Sequence, residues 1–257
     1  MTDTHIPRIE LLTIPGLPLV QPGDDLPGLL LTAARQAGMT FHDTDVLVVA
    51  QKIVSKAEGR LVYLPNVIPS ARARELAAVT GKDARLVELI LSEAYEVLRA
   101  RPGLLVVEHR LGFVCANAGI DQSNVRGSDE WALLLPQDPD ASARRLRAAL
   151  HAVTGAQPAV IICDSHGRAW RFGTVGVAIG VAGLYPLADL RGQPDLAGRI
   201  LQYTEVGIAD ELAAAAGLMM GQAGEGTPVV LIRGAVWPRG DGRLSEILRP
   251  RANDAFR

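Results

Sequence analysis

Short apolar runs of strand length recur along the chain, separated by stretches with helical spacing. Ile9–Ile14 is the first such run, and Pro15-Gly16-Leu17-Pro18 closes it with a rigid turn. Asp24 and Asp25 then offer an N-cap to a helix whose apolar positions Leu26, Leu29, Leu30, Ala33 and Ala37 follow the helical period, with Pro27 tolerated in the first turn and Gly38 closing it. Asp45–Ala50 is continuously apolar, the pattern of a strand covered on both faces, whereas Gln51–Arg60 follows without a clear period. Helical spacing returns in Ser70–Val79 and again in Lys82–Ala100. There Leu86, Ile90, Ala94 and Val97 make one stripe, and Arg101-Pro102-Gly103 predicts its stop.

Leu104–Glu108 and Phe113–Ala116 read as strands that deliver the chain into Asn117–Asn124, a polar stretch with no apolar periodicity. Pro136–Asp140 reads as a turn and Ala141–Val153 as an Arg-rich amphipathic helix with Leu146, Leu150 and Val153 inward. A buried strand over Ala159–Cys163 ends at Asp164, and a polar loop from Ser165 to Arg171 precedes a glycine-punctuated β-like run over Thr174–Gly183. Leu196–Tyr203 and Ala209–Met220 are helical candidates, Gly221–Gly226 is a glycine-rich turn, and Val229–Arg233 is a last buried strand before a polar tail. Strands and helices in no strict βαβ order argue for α+β or an irregular α/β arrangement.

Composition narrows the functional classes. At 257 residues, 48% hydrophobic and 21% charged, the chain has the make-up of a folded globular protein, and 4% aromatics makes its core aliphatic. A net charge of -2 argues against non-specific nucleic-acid binding. Cys115 and Cys163 form no disulfide framework and no Cys-x-x-Cys pair, which suits a reducing cytoplasm. The N-terminus has no apolar signal region, and no run approaches the roughly 18 apolar residues of a membrane span.

The candidate chemistry centres on two carboxylates. Asp121 and Asp164 each follow a strand and are themselves followed by small polar residues, so two hard oxygen anions converging on one pocket would suit Mg²⁺ or Mn²⁺ beside substrate phosphates. Taken singly, either also fits an Asx-turn. Lys52 and Lys56 offer point charges to phosphates, and Arg168 and Arg171 a bidentate clamp, though surface charge is the commoner role for each lysine. No P-loop and no G-x-G-x-x-G is present, and His166 beside Asp164 and Ser165 is no triad by adjacency alone.

Val48-Val49-Ala50-Gln51-Lys52-Ile53-Val54-Ser55-Lys56-Ala57-Glu58-Gly59-Arg60, Asn117-Ala118-Gly119-Ile120-Asp121-Gln122-Ser123-Asn124-Val125, and Asp164-Ser165-His166-Gly167-Arg168-Ala169-Trp170-Arg171 with Gly176-Val177-Ala178-Ile179-Gly180 together resemble the coenzyme F-420:L-glutamate ligase family. The resemblance runs from about Pro15 to Arg233. It implies a stand-alone cytoplasmic enzyme that joins L-glutamate to the lactyl carboxylate of a deazaflavin cofactor, adds later glutamates in γ-linkage, consumes GTP, and uses two divalent cations and potassium. It also implies a homodimer and an α+β fold of the family's own, an irregular mixed-sheet arrangement open to division into two subdomains. Residues 1–240 would form one functional unit and 241–257 a polar tail.

Carried over residue by residue, the resemblance makes Asp121 and Asp164 metal ligands and catalytic groups with Lys56, and adds Ser165 and Gln222 at a second metal position. Glu225 is a rival to Gln222 as the harder donor. GTP is placed against Leu17, Pro18, Leu19 and Val20, against Gln51, Lys56 and Asn124, and along Met220, Gly221, Gln222, Ala223, Gly224, Glu225, Gly226 and Thr227. The chain departs from the family pattern at Gln51, His166 and Ala169. The rival readings are a deazaflavin or nucleotide sensor without turnover, and a ligase of the same chemistry acting on another carboxylate.

Overall fold

The computed structural model describes residues 7–126 and 128–255. Its centre is a mixed five-stranded sheet built from the most continuously apolar segments: β1 (Glu10–Thr13), β2 (Val46–Ala50), β8 (Ala159–Arg168), β9 (Arg171–Ala182) and β12 (Val229–Arg233), in the order β1-β12-β2-β8-β9. The β2 and β8 strands run parallel, and the other neighbours are antiparallel. Val46, Leu47, Val48 and Val49 are all fully buried, as a strand covered on both faces demands.

The two faces take different helices. On one lie α1 (Leu26–Gln36) and α5 (Pro139–Thr154), whose Leu30, Ala33, Leu146 and Leu150 pack with Leu47, Val49, Val160, Ile162 and Leu231. On the other lies α6 (Ile208–Met220), whose Ala209, Leu212, Ala213 and Ala216 meet Val46, Val48, Ile161 and Ile232. Two glycines of β9 set how closely these helices approach. A Cβ on Gly176 would stand 2.5 Å from the Ala213 carbonyl oxygen of α6, and one on Gly180 would stand 2.4 Å from the Pro139 carbonyl carbon of α5.

A third core is made by the segment between β2 and α5. It contains α3 (Ala71–Thr80), α4 (Ala84–Glu93), the sheet β4-β5-β6 (Ala94–Arg101, Leu104–His109, Val114–Ala116) and the pair β3-β7 (Leu61–Tyr63, Trp131–Leu133), closed around Leu64, Val87, Ile90, Leu105, Val107 and Ala132. With its helices packed beside one mixed five-stranded sheet and several small antiparallel ones, the protein is α+β with the irregular mixed-sheet character expected.

Several local expectations are corrected. The helix expected over Lys82–Ala100 stops at Glu93, and Ala94 and Val97 belong to β4, paired with β5 through two register shifts. Pro102-Gly103 is therefore the two-residue turn of a hairpin, with Arg101 opposite Leu104 and Gly103 at φ 77, rather than the stop of a helix. Leu196–Tyr203 is not helical: Gly198 sits at φ 81 and Pro194 bridges Ile200 across a turn. The supposed polar loop after Asp164 is strand up to Arg168, which pairs with Arg171 around a two-residue turn. Gln51–Arg60, which has no obvious period, opens with α2 (Gln51–Ala57). The residues beyond Trp237 contribute Leu244 to the main core, and Arg251 ion-pairs with Glu96 and Glu108 of the third-core sheet.

Candidate active site

Strand directions gather the candidate segments at one end of the sheet. The C-terminal ends of β1 and β2 meet the start of β12 there, through Ile14 N–H to the Val229 carbonyl at 3.1 Å and Ala50 N–H to the Pro228 carbonyl at 2.8 Å. Ala50 pairs with Cys163 of β8, so α2, the Leu17–Val20 turn and the 221–228 segment leave the sheet at the level where β8 carries Asp164. Of the Leu17–Val20 turn, Leu17 and Val20 lean into the core while Leu19 is exposed, and Gly23 N–H holds the following chain to the Ala57 carbonyl at 2.9 Å.

Asp121 is delivered from the other core by an unusual backbone. Asn117, Ala118 and Gly119 take consecutive left-handed conformations at φ 53, 53 and 66, strained for Ala118, whose side chain is buried. Beyond this kink Ile120 enters the third core, and Asp121 pairs with Leu133 through both backbone bonds, N–H to O at 3.0 Å and its reciprocal at 2.8 Å. The side chain then meets α2. Gln51 Nε2 donates to Asp121 Oδ2 at 2.8 Å, Ser55 Oγ donates to Gln51 Oε1 at 2.9 Å, and Lys52 Nζ lies 3.5 Å from Asp121 Oδ1. Burial, opposed by Lys52 and reinforced by the charge of Asp164, pushes Asp121 up to about 6. The two carboxylates predicted from sequence are thus within electrostatic reach of each other.

Asp164 lies inside β8, opposite Val177, and not at a strand end. Period-two alternation puts it on one face with His166, whose Nε2 lies 3.1 Å from Asp164 Oδ2 and whose ring tilts against Phe113 at 5.3 Å. Cys163 and Ser165 take the other face, toward the end of α6: Cys163 Sγ meets Met220 Sδ at 3.8 Å, and Ser165 Oγ donates to Gln222 Oε1 at 2.8 Å. The oxygen donors expected from sequence therefore fall into two groups, Asp121 with Asp164, and Ser165 with Gln222. Glu225 folds back on its own turn to accept from Ala223 N–H at 2.8 Å, which separates it from Gln222 as a neighbour of Ser165.

Lys56 and Asn124 tie the loops together. Lys56 Nζ donates to the Asn124 carbonyl at 2.7 Å, and Asn124 Nδ2 donates to the Ala223 carbonyl at 2.8 Å, so one asparagine at φ 56 bridges α2 to the glycine-rich turn. Burial, with Lys52 nearby, holds the Lys56 ammonium below its usual value. Thr227 Oγ1 donates to the carbonyls of Met219 and Met220 at 2.9 and 3.1 Å, which folds the turn under the end of α6. Gln51 is buried and its amide is fully committed to Asp121 and Ser55, so its side chain positions that carboxylate. Lys52, offered from sequence only as a phosphate contact, also ion-pairs with Asp121 and donates to Ser123 Oγ at 3.1 Å. The i, i+4 spacing of Lys52 and Lys56 was the signal for a shared helical face. Arg168 and Arg171 pair at the hairpin tip, where Arg168 Nη1 donates to the Gly173 carbonyl at 3.2 Å, and among the described residues neither makes a hydrogen bond or ion pair to this cluster.

Whether these residues suit divalent cations can be judged from the donors. Among the described residues no group of three or more His, Cys, Asp and Glu side chains is placed to hold a metal. What is present is a carboxylate pair in which burial, with the charge of Asp164, raises Asp121, and, on the other face of β8, a hydroxyl bonded to an amide oxygen. Each group offers hard oxygen donors, and a cation at the carboxylate pair would relieve its repulsion, so the residues fit the group as two separate positions.

A mixed-sheet α+β fold that brings carboxylates, two lysines and a glycine-rich turn to one sheet end has the parts of an active site for a small molecule. The chain belongs to the F420-0:gamma-glutamyl ligase family, whose sequence profile matches residues 16–234. It is 51% identical over 251 residues to the coenzyme F420:L-glutamate ligase of Methanothermobacter thermautotrophicus, covering 97% of this chain and 99% of that one. It is 46% identical to the enzyme of the same name from Archaeoglobus fulgidus, covering 97% of each, and 46% identical over 217 residues to that of Methanocaldococcus jannaschii, covering 84% of this chain and 86% of that one. Among the described residues no helix is long and apolar enough to cross a membrane.

Proposed function

We propose that this protein joins L-glutamate to the lactyl carboxylate of the coenzyme F420 precursor, at the expense of GTP, and extends the product with further γ-linked glutamates. Family membership supports the ligation, and the names of the relatives support its substrates. The observation that carries the mechanism is Asp121, ion-paired with Lys52 and near enough to Asp164 of the central sheet for the charge of Asp164 to raise it, with Lys56 one helical turn on from Lys52 holding the Asn124 loop.

In the proposed sequence a precursor carboxylate oxygen attacks the γ-phosphorus of GTP, the bond to the bridging oxygen breaks, and GDP leaves. The glutamate amine then attacks the acyl carbon, phosphate departs, and the amine proton passes to solvent. Lys52 and Lys56 supply point charges to the phosphate oxygens. The proposed nucleotide surface is made by the Leu17–Val20 turn, Lys56, Asn124 and Met220 to Thr227, with Asn124 fixing one loop to the other. Gln51 holds Asp121 in register. Divalent cations held by Asp121 and Asp164, and at a second position by Ser165 and Gln222, would neutralise charge on the transferring group when bound. We also take the protein to be a homodimer, supported by exposed Trp170, Phe172, Leu196 and Tyr203 on the β8–β9 tip and the 190–203 arm.

Isotope transfer tests the acyl phosphate. A precursor labelled with ¹⁸O in its carboxylate should release phosphate carrying one ¹⁸O per amide formed, whereas unlabelled phosphate would overturn this route. Binding of GTP and precursor with no product at all would return the site to the sensor reading.

A further inference from the structure

We propose that the cleft between the C-terminal half of α5 and the 241–243 turn is a second anion-binding site, shaped for a small polyanion carrying two or more negative charges. It is separate from the proposed catalytic pocket. Ala182 on its wall pairs with Val160, which stands four residues before Asp164 in β8, or about 13 Å along the strand at ~3.3 Å per residue.

The cleft has a volume of about 510 Å³ and is walled by Arg144, Arg147, His151 and Arg243, with Asp241 as the carboxylate in its lining. Three guanidiniums therefore face one carboxylate, in a space within the usual size range of small-molecule sites.

Arg147 is fixed in place. Its Nε donates to the Pro158 carbonyl at 3.1 Å and its Nη2 to Gln157 Oε1 at 3.2 Å. The chain makes room for it at Gly183, where a Cβ would stand 2.5 Å from Arg147 Nε and where φ is +82. Arg144 has its ion-pair partner, Asp138, at a long 3.9 Å with both side chains exposed, and Arg243 makes no ion pair among the described residues, its backbone N–H donating to Glu246 Oε1 at 3.0 Å. The negative end of α5 is offset by His151, whose Nδ1 lies 3.0 Å from the Gly155 carbonyl, and by Gly155 N–H on the His151 carbonyl at 2.8 Å. A held guanidinium with two freer ones around it is suited to charge-assisted, bidentate binding of phosphate or clustered carboxylate oxygens.

Titration calorimetry of the full chain at low ionic strength, with inorganic pyrophosphate and with citrate as probes, tests the site. The variants are Arg144→Glu/Arg243→Glu, which spares the structural Arg147, and Lys56→Ala in the catalytic pocket. The double variant should weaken binding of the preferred probe by at least about tenfold, with an unchanged far-UV spectrum, while Lys56→Ala leaves that binding event intact. Tighter pyrophosphate binding assigns a phosphate-bearing ligand, and tighter citrate binding a polycarboxylate. Equal affinity in wild type and the folded double variant overturns the proposal, as does binding of neither probe. Should the double variant fail to fold, Arg243→Gln alone reports the same loss or its absence.

Discussion

Gln51 Nε2 donates to Oδ2 of Asp121 at 2.8 Å across a sequence separation of 70 residues, joining the helix after a central strand to a carboxylate carried by the other core. The bond is buried on the glutamine side, and Ser55 fixes the amide orientation from the next turn. Hydrogen bonds to charged groups contribute about 1.5–3 kcal/mol. Gln51→Ala should therefore lower kcat by roughly ten- to hundredfold, with a smaller change in KM for GTP. Steady-state kinetics of the folded variant decides it, and an unchanged kcat would remove Gln51 from the positioning of Asp121.

Asp121 predicts a pH dependence with a definite sign. Burial, with Asp164 adding to it, raises the carboxyl to about 6 against an ordinary 3.8. A group raised in the folded state contributes stability that is fully present below the unfolded value and is lost as pH rises through the folded one. In metal-free protein, Asp121→Asn should therefore be increasingly stabilising relative to wild type between about pH 4 and pH 6, by on the order of 1–3 kcal/mol at neutral pH. Melting temperatures of both proteins across that window provide the check. A difference that does not vary with pH would mean that Asp121 is not raised.

Asn124 bridges Lys56 and Ala223 from a left-handed backbone. Asn124→Gly keeps the conformation and loses the amide, and Asn124→Ala loses both. Both should raise KM for GTP, Asn124→Ala more, with melting temperatures within a few degrees of wild type. Equal KM values in all three proteins would exclude the bridge from nucleotide binding.

Gly176 and Gly180 stand where α6 and α5 press on β9. Gly176→Ala meets α6 backbone, and overpacking of this kind costs about 1–3 kcal/mol. For a chain of this size the melting temperature should fall by roughly 2–10 °C. Because α6 carries the Met220–Thr227 turn, GTP affinity should fall as well. A variant as stable as wild type would show that the helix can retreat freely.

The central sheet was legible because Val46–Ala50, Ala159–Cys163 and Val229–Ile232 are apolar without interruption, which leaves little choice but a strand covered on both faces. The second half of Lys82–Ala100 was not, since Ala94 and Val97 fit a helical stripe and only pairing with β5, which is non-local, reveals a strand. Asp164 stands inside β8 and not at its end, a setting the sequence hides. Polar residues from Ser165 to Arg168 look like a loop, but a hairpin extending beyond the core has no apolar face to show. The link between Gln51 and Asp121 left no sequence signal, because a glutamine after a strand is common and its partner is 70 residues away.

The most direct measurement is a mass spectrum of the reaction with GTP, Mn²⁺, L-glutamate and the unglutamylated coenzyme F420 precursor, run with wild type, Asp121→Asn and Asp164→Asn. Wild type should give a product heavier by glutamyl units, with one GDP for each unit added, and both variants should lose turnover with the fold intact. Glutamyl product from either variant at the wild-type rate, or product formed without GDP, would contradict this mechanism.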